Sequence, residues 1–171
     1  MADGPAGLDP RQFRDALGAF ATGVTIITTR DAAGQPIGVT ANSYNSVSLD
    51  PPLILWSLAR TSRSFDAFMQ AESFAVHVLC EAQEDLAMRF ASRGEDKFAG
   101  LAVDNGHGGA PLLPGCSTRL ECTTHARHDG GDHVIFVGEV KRFDSIRQEP
   151  LLFHHGRFAR LAPVDECEEA A

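Results

Sequence analysis

Hydroxyl and amide side chains are concentrated in one short stretch of the sequence, GVTANSYNSVSLDPP at residues 38–52. A half-buried strand normally alternates apolar with polar residues, so that one face can pack on the core. Here the large aliphatic side chains are limited to Val39, Val47 and Leu49. We therefore expect one face of this stretch to hold a polar group that does not belong to the protein. The hydroxyl and amide side chains available are Thr40, Asn42, Ser43, Ser46 and Ser48.

A second candidate is the junction SLARTSRSF, residues 57–65, where an apolar strand runs into a helical pattern. The first turn after the strand carries Thr61, Ser62 and Ser64, together with Arg63. A helix N-terminus has free backbone N–H groups, and added hydroxyls and a guanidinium suit a phosphate. The same residue types also make an ordinary capped helix. Because the polar stretch lies one strand earlier, a barrel would bring the two together, which favours the phosphate site.

The third candidate is a histidine beside an acid, Gly131-Asp132-His133. At a hairpin mouth such a histidine could transfer a proton or bind a carboxamide or phosphate. A surface turn histidine without a role is the simpler alternative and, on this motif alone, the favoured one. A hydrolase built from Asp132, His133 and a serine is weaker still, because the sequence has no Gly-x-Ser-x-Gly elbow. We also expect Asp132, adjacent in sequence, to be poorly placed to orient the ring.

A fourth candidate is LLFHHGRF, residues 151–158. Phe153, His154, Arg157 and Phe158 could flank a planar ligand, since aromatic and guanidinium groups stack on ring systems. Such residues pack in cores more often, so this stretch alone is not specific.

The cysteines and histidines do not indicate a metal site. The four cysteines contain no close pair with zinc-ligand or redox spacing, which favours inert thiols in a reducing compartment. The pairs His125–His128 and His154–His155 have no cysteine or carboxylate set to complete a site. The cysteines are Cys80, Cys116, Cys122 and Cys167.

Length and composition bound the class of protein. The chain has 171 residues, 43% hydrophobic and 22% charged, as expected for one globular domain. A formal net charge of -8 argues against nucleic acid as a partner, because phosphate-backbone binding needs clustered Lys and Arg. No apolar run approaches the ~18 residues of a membrane-spanning helix, and MADGPAGLDP lacks the pattern of a signal peptide. We expect a cytoplasmic protein with no membrane partner.

Helical periodicity predicts three short helices. The first begins with a capping Asp9 and a first-turn proline, and carries one apolar stripe. The second follows a capping Thr61 or Ser62. The third contains an Asp85–Arg89 pair one turn apart. The predicted helices are residues 10–21, with Phe13, Leu17 and Phe20 on the stripe, the segment after residue 62, with Phe65, Phe68 and Met69, and residues 81–94.

Strand patterns outnumber the helices by about two to one, at hairpin spacing. This indicates an antiparallel barrel or sandwich with a few helices packed at its ends. The predicted strands are a hairpin over residues 24–43, an apolar strand over 52–60 covered on both faces, a strand over 73–79, two long strands from Ser117 to Arg142 around HDGGD, and one short strand within LLFHHGRFARL.

Taken together and in this order, the motifs resemble the flavin reductase family, the small reductase components of two-component flavin-dependent monooxygenases. The resemblance covers about residues 12–160, and its most specific pieces are TANSYNSVSLDPP and GDHVIFVGEV. The motifs that carry it are FRDALGAFATGVTIITT, PIGVTANSYNSVSLDPPLILWSL, SRSFDAF, FAVHVL, DKFAG, PLLPG, GDHVIFVGEV and PLLFHHGRF.

The resemblance implies a mainly β fold, a six-stranded antiparallel Greek-key split barrel with a few flanking helices. The barrel domain would occupy residues 11–162, between an N-terminal extension at 1–10 and an acidic tail at 163–171. It also implies a homodimer with the flavin near the subunit interface. NADH or NADPH would reduce FMN or FAD, and a partner monooxygenase would receive the reduced flavin.

The resemblance further implies site residues. Val39, Val47 and Leu49 would anchor the polar stretch to the barrel. No residue is expected to act as a catalytic nucleophile, since hydride passes directly between cofactors. The flavin-binding residues implied are Thr40, Ala41, Asn42 and Ser43 along the ring and ribityl chain, Ser48 close by, Ser57, Ala59, Thr61, Ser62 and Ser64 at the ribityl hydroxyls and phosphate, and Arg89, Phe90 and Ser92 at the phosphate end or an FAD adenylate.

The nicotinamide nucleotide is expected at His133, with Phe153, His154 and Phe158 shaping the same pocket. Two phenylalanines replace a tyrosine of the family's last strand, so any role of that hydroxyl is lost here. The alternative from another class is a non-catalytic flavin-binding module, for storage or sensing, on the same barrel. The sequence does not decide between FMN and FAD, or between NADH and NADPH.

Overall fold

The computed structural model describes residues 7–94 and 96–162. The helices are α1 (Pro10–Gly18), α2 (Phe65–Gln70) and α3 (Glu84–Ala91), with 3-10 turns at Glu81–Gln83 and His107–Gly109. The strands are β1 (Thr22–Gly23), β2 (Thr25–Arg30), β3 (Pro36–Ala41), β4 (Asn45–Leu49), β5 (Pro52–Ala59), β6 (Ser73–Val78), β7 (Asp104–Asn105), β8 (Pro111–Leu112), β9 (Thr118–Gly130), β10 (His133–Ser145), β11 (Leu152–His154) and β12 (Arg157–Ala159).

Seven strands form one antiparallel sheet in the order β3–β2–β6–β9–β10–β5–β4. The β9–β10 hairpin is its longest unit, and the smaller sheets β1–β11–β12 and β7–β8 flank it. The predicted antiparallel, mainly β class is confirmed. The main sheet has seven strands and not six, because the polar stretch forms two strands, β3 and β4, joined by residues 42–44. The predicted last strand is likewise two strands, β11 and β12, with His155 and Gly156 turning between them at positive φ.

The barrel interior is aromatic. Trp56 of β5 stacks on Phe136 of β10 with ring centroids 4.8 Å apart and planes 16° apart. Phe68 of α2 and Phe74 of β6 meet the indole edge-on, at 4.9 and 5.9 Å. On β5, Trp56 and its same-face neighbours are buried while the opposite face is only partly covered, so the expectation that both faces are covered was wrong. Those neighbours are Ile54 and Leu58.

A second apolar cluster joins α3 to β2 and the loops beside it. Its central residues are Ile26, Leu79, Ala87, Phe90 and Leu113, all fully buried. The cluster fixes α3 against the barrel, and its buried members are spread along the sequence from Val24 to Leu151. Apolar packing therefore holds α3 against β2 and the neighbouring loops.

Next to this cluster, His77 of β6 is completely buried. Its Nδ1 lies 3.0 Å from the carbonyl of Ile26, and the N–H of Leu113 donates to its Nε2 over 3.1 Å. Nδ1 must therefore carry the proton of a neutral ring. Burial lowers the pKa of His77 to about 4, because the cation would lose its hydration.

Helix α1 is capped as predicted, since the carboxylate of Asp9 accepts the N–H groups of Arg11 and Gln12. It ends at Gly18 and not at residue 21. Its apolar stripe does not pack on the barrel, and Phe20 is 76% exposed. The stripe is therefore an apolar surface of the chain. Its other members, also exposed, are Phe13 and Leu17.

Two expectations about anchoring and capping were also wrong. Val39 packs against the barrel core, but Val47 and Leu49 are 49% and 96% exposed, because β4 is an edge strand that pairs with β5 alone. Helix α2 begins after Ser64, without a side-chain cap from Thr61 or Ser62.

The predicted ion pair between Asp85 and Arg89 was also wrong. Within residues 7–94 and 96–162 these side chains form no ion pair. Arg89 instead donates to the carbonyls of Asp96 and Ala99 over 3.4 and 2.5 Å. The loop after α3 offers two carbonyl acceptors, which hold the guanidinium away from Asp85.

Three of the four cysteines lie in the described part of the chain, and they are buried free thiols. Burial raises the pKa of Cys116 to about 11 and that of Cys122 to about 12, which agrees with the expectation of inert thiols. Cys167 and the tail at 163–171 lie outside the described residues, as do residues 1–6. No helix in the described ranges is long and apolar enough to cross a membrane.

Candidate functional site

The edge strand β3 approaches β5, the neighbour of the other edge strand β4, along a seam. In the described ranges no strand ladder joins these two strands. A side chain closes the seam instead: the hydroxyl of Ser43 donates to the carbonyl of Ser57 over 3.1 Å and accepts the N–H of Ser57 over 2.9 Å. The barrel is therefore split at this point, and among the described residues β3 has a ladder partner, β2, on one side only.

A cleft of about 900 Å³ runs along this seam. Strand β3 forms one wall, the turn after β5 forms the other, and the end of α3 with its following loop forms the floor. We call it the seam cleft. Its lining consists of residues 35–39, Ala59, residues 61–64, residues 90–94 and residues 96–98.

Six of the predicted flavin-binding residues line the seam cleft. The turn after β5 presents three hydroxyls to it, and the N–H of Ser64 donates to the hydroxyl of Ser62 over 3.2 Å. Across the cleft, Ser92 uses its hydroxyl as a donor to the carbonyl of Arg89. The six residues are Ala59, Thr61, Ser62, Ser64, Phe90 and Ser92.

The other predicted flavin residues do not line the cleft, and several have structural contacts. The hydroxyl of Thr40 donates to the carbonyl of Ala87 over 2.7 Å, which ties β3 to α3. Ser43 and Ser57 hold the seam together. Arg89 is bonded to the loop that follows α3. The remaining members of the set are Ala41, Asn42 and Ser48, at the end of β3, in the β3–β4 turn and on β4.

Gly38 and Lys97 are among the cleft residues that the sequence interpretation did not assign to the site. Gly38 of β3 packs so closely on α3 that a Cβ there would lie 2.3 Å from Cε1 of Phe90. Lys97 reaches back from the following loop and donates to the carbonyls of Phe90 and Gly38 over 2.7 and 3.3 Å. Burial lowers the pKa of Lys97. The available signal was that Lys97 is one of two lysines in an acidic chain.

His133 lies at the same end of the barrel as the hydroxyl-bearing turn. The β5–β10 ladder places His133 opposite Ala59. Arg60 braces the hairpin turn: its N–H donates to the carbonyl of Asp132 over 2.9 Å, and its Nε donates to the carbonyl of Gly131 over 2.9 Å. Arg60 Nη2 also pairs with Asp129 at 2.9 Å. The motif is thus fixed beside the seam cleft.

The expectation that Asp132 is poorly placed to orient His133 was wrong. Oδ1 of Asp132 lies 2.7 Å from Nδ1 of His133, because the turn folds the carboxylate back over the ring. The hydrogen bond and charge of His133 lower the pKa of Asp132. In the neutral ring Nδ1–H donates to the carboxylate, and Nε2 is left as an acceptor.

The last predicted group lies on the small sheet. The rings of Phe153 and Phe158 meet edge-on at 5.6 Å and pack against the second apolar cluster. His154 is exposed, with its ring 4.3 Å from that of His155. None of the three predicted residues, Phe153, His154 and Phe158, lines the seam cleft. Packing is the role that the contacts of the two phenylalanines support directly.

A smaller polar cleft, of about 480 Å³, is less suited to a phosphate. Arg30 is its one arginine, and each of its nitrogens already donates to a described acceptor, the carbonyls of Gly109 and Gly34 and the side chain of Asn105. Asp31 adds a carboxylate to the lining. The polar cleft is lined by Thr29, Arg30, Asp31, Ala32, Gln70, Ala71, Glu72, Ser73, His107, Gly108 and Thr123.

The donor set of the seam cleft suits an anionic ligand with hydroxyl groups. Three hydroxyl residues of the turn after β5, the ammonium of Lys97, and Arg63 and Arg93 line it, with His133 beside it. Serine hydroxyls and an ammonium are the groups that bind phosphate, and open backbone N–H groups can hold the polar edge of a ring. The ribityl phosphate of a flavin fits this set. Fold and cleft together define a small antiparallel split barrel with an open, hydroxyl-lined seam.

Comparison with known proteins gives the family. Residues 17–162 match the model of the flavin reductase like domain. The chain therefore belongs to the flavin reductase family, as the motifs indicated.

Its relatives include the FMN reductase (NADH) SmoA of Agrobacterium fabrum, 48% identical over 92% of this chain and 90% of the relative. Another is the reductase subunit HsaB of a flavin-dependent monooxygenase of Rhodococcus jostii, 44% identical over 91% of this chain and 80% of the relative. Among solved structures, the NADH:FAD oxidoreductase SgcE6 of Streptomyces globisporus, in complex with NAD and FAD fragments, has a TM-score of 0.86 at 40% identity, covering 93% of this chain and 98% of that one.

Proposed function

We infer that the protein is an NAD(P)H-dependent flavin reductase, which reduces FMN or FAD and supplies the reduced flavin to a partner monooxygenase. The observation that carries this conclusion is the seam cleft, whose hydroxyls and ammonium converge beside the His133 hairpin. The relatives support it, since their names include an NADH-dependent FMN reductase and monooxygenase reductase subunits. The same names favour a reductase over a flavin storage or sensor module.

For the flavin we propose that the phosphate and ribityl hydroxyls lie at the turn after β5, where the three hydroxyls line the cleft. The ring would then extend toward the end of β3, where Ala41 and Asn42 have no ladder partner on the seam side within the described part of the chain. Thr40 would contribute its backbone, because its hydroxyl is bonded to Ala87. The full set proposed for the flavin is Thr40, Ala41, Asn42, Ser43, Ser48, Ser57, Ala59, Thr61, Ser62, Ser64, Arg89, Phe90 and Ser92.

For the nicotinamide nucleotide we propose His133 as the main contact. Asp132 fixes its ring, and the ladder with β5 sets it beside the flavin turn. We keep Phe153, His154 and Phe158 as proposed contacts of this nucleotide. They line no cleft shared with His133 within the described part of one chain, so we propose that they act from the second subunit of a dimer.

A bound flavin supplies the reaction's hydride acceptor, so no side chain needs to act as a nucleophile. The work of this chain is to hold two cofactors in contact, with reacting atoms at about 3 to 3.5 Å. The hydroxyls at Ser62 and Ser64 hold the phosphate end, and Arg60 keeps the His133 hairpin rigid. Backbone N–H groups along residues 40–43 stabilise negative charge at the ring edge.

We also propose that the protein acts as a homodimer. The apolar stripe of α1 and the edge strand β4 leave large side chains exposed, and β10 adds Phe143 at 72% exposure. Exposed apolar area of this kind marks an interface. Residues 11–162 would form the working unit, with 1–10 and 163–171 as extension and tail. The exposed apolar side chains are Phe13, Leu17, Phe20, Val47, Leu49, Phe143 and Ile146.

We place this function in the cytoplasm. NAD(P)H is a reductant of the cell interior, and the described cysteines are free thiols, as is usual in a reducing compartment.

The test is NADH oxidation by the purified protein with and without added FMN or FAD. We expect turnover only with added flavin. Background rates with both flavins would refute the enzyme. A bound yellow flavin that survives gel filtration without NADH oxidation would instead support the storage or sensor module.

A further inference from the structure

Lys97 is the one ammonium group in the seam cleft. It belongs to the loop after α3, and its side chain turns back over the end of the helix. There Nζ donates to the carbonyl of Phe90, which lies in the last turn of α3, where carbonyls generally lack partners within the helix. The negative end of the helix dipole also favours a cation at this position. The ammonium is thus held in place before any ligand binds.

The second contact of Lys97 joins it to the opposite wall. Nζ donates to the carbonyl of Gly38 on β3 over 3.3 Å, so two of its three N–H groups point at the protein backbone. Among the described residues no carboxylate lies within ion-pair distance of this nitrogen. The third N–H has no acceptor in residues 7–94 and 96–162, while Lys97 lines the cleft.

The partial burial of the Lys97 ammonium favours an anionic ligand in the cleft. A half-buried ammonium without a carboxylate loses part of its hydration, which is why the pKa of Lys97 falls. An anionic ligand in the cleft would compensate for that loss. The hydroxyls of Thr61, Ser62 and Ser64 line the same cleft and are phosphate-binding groups.

We propose that the Lys97 ammonium binds the ribityl phosphate of the flavin and thereby makes the protein select FMN and FAD over riboflavin. This inference rests on the proposed function, since it needs a flavin in the seam cleft. The site would recognise the phosphate of the flavin in addition to its ring. Riboflavin would leave Lys97 half-buried without an anion, whereas FMN and FAD supply one.

The test compares FMN with riboflavin as substrates for the wild type, Lys97→Met and Lys97→Arg. Methionine keeps most of the side-chain length and removes the charge. We expect Lys97→Met to lower the ratio of kcat/KM for FMN to that for riboflavin by about 10- to 100-fold, the value of a hydrogen bond to a charged group. Lys97→Arg should recover most of the ratio. Lys141→Met, at the only other lysine, is the matched charge control and should leave the ratio unchanged.

Equal losses with FMN and riboflavin would show that Lys97 only holds β3 to α3, and would overturn the proposal. An unchanged ratio would overturn it too. The ratio of FMN to riboflavin Kd values, from quenching of flavin fluorescence, decides the case where the variants bind flavin without turnover. If the wild type binds flavin but never oxidises NADH, the proposed function fails while this ratio still tests Lys97. If it binds neither flavin, both proposals fail.

Discussion

The barrel is closed by strand ladders on one side and by side chains on the other. From β2 through β6, β9 and β10 to β5, each strand pairs with both neighbours, and Trp56 packs on Phe136 inside. At the seam, Ser43 links the β3–β4 turn to β5, and Thr40 and Lys97 tie β3 to a helix. Backbone groups without ladder partners must find others. The seam is therefore where a small barrel can hold a ligand without giving up its core.

The largest effect should come from the closed side. Phe136→Ala removes the ring stacked on Trp56, and a cavity in a packed aromatic core costs about 3–5 kcal/mol in the free energy of unfolding. Urea unfolding followed by tryptophan fluorescence measures it. Phe136→Leu, which fills more of the space, should cost less. A loss under 1 kcal/mol for the alanine variant would show that the closed side does not carry the stability.

Acid should weaken the ladder side through His77. Its pKa is about 4 in the folded protein and 6.5 when unperturbed. Between these values the unfolded chain binds the extra proton, so the contribution of His77 to stability is complete above about pH 6.5 and is lost as the pH drops toward 4. The loss amounts to about 3 kcal/mol. Urea unfolding at several pH values measures it, and His77→Gln should flatten the curve over this window. An unchanged pH dependence in that variant would contradict the assignment.

Gly38 at the seam and Gly138 on the closed side form a matched pair of glycines, because each packs closely against a phenylalanine ring. A Cβ at Gly38 would lie 2.3 Å from Phe90 at the seam, and one at Gly138 would lie 2.4 Å from Phe74 on the closed side. Overpacking of this kind costs about 1–3 kcal/mol, so Gly38→Ala and Gly138→Ala should lose similar stability. Only Gly38→Ala should also raise the KM for FMN, because it shifts the cleft. Equal effects on KM would break the distinction between seam and core.

The smallest effects separate the two cofactors at the seam. His133→Ala should raise the KM for NADH about 3- to 10-fold, the value of one hydrogen bond, with a smaller effect on the flavin KM. Ser62→Ala and Ser64→Ala should do the reverse. Steady-state kinetics with each substrate varied in turn gives both constants. Equal changes in both KM values for His133→Ala would show that it does not bind the nicotinamide nucleotide.

Much of the ladder side could be predicted from the sequence. Alternation in β10 and the Gly-Gly turn at residues 130 and 131 indicated the long hairpin, since period-two patterns directly report a face packed on a core. The seam was harder to predict from the sequence. Val47 and Leu49 look like core residues, but β4 is an edge strand, and edge position depends on which strands meet across the barrel. No local pattern encodes that.

The site was predicted in part for the same reason. Ser62 and Ser64 could be predicted as cleft residues because they lie in one short turn, and the position of that turn follows from β5. Lys97 and Gly38 were missed because their role depends on the packing of α3 across β3. These two elements are far apart in sequence, so no local pattern shows that they pack together. Asp132 was misjudged because neighbours in sequence rarely orient each other, yet this turn folds its carboxylate back over the ring.

We propose that flavin binds at the seam cleft and not at the polar cleft. Hydrogen–deuterium exchange with and without saturating FMN tests it most directly, because it reports protection along the whole backbone. We predict slower exchange at residues 36–43, 59–64 and 90–94, with no change at residues 29–32, 70–73 and 107–108. Protection confined to those last three segments, with exchange at the seam unchanged, would show that flavin binds at the polar cleft.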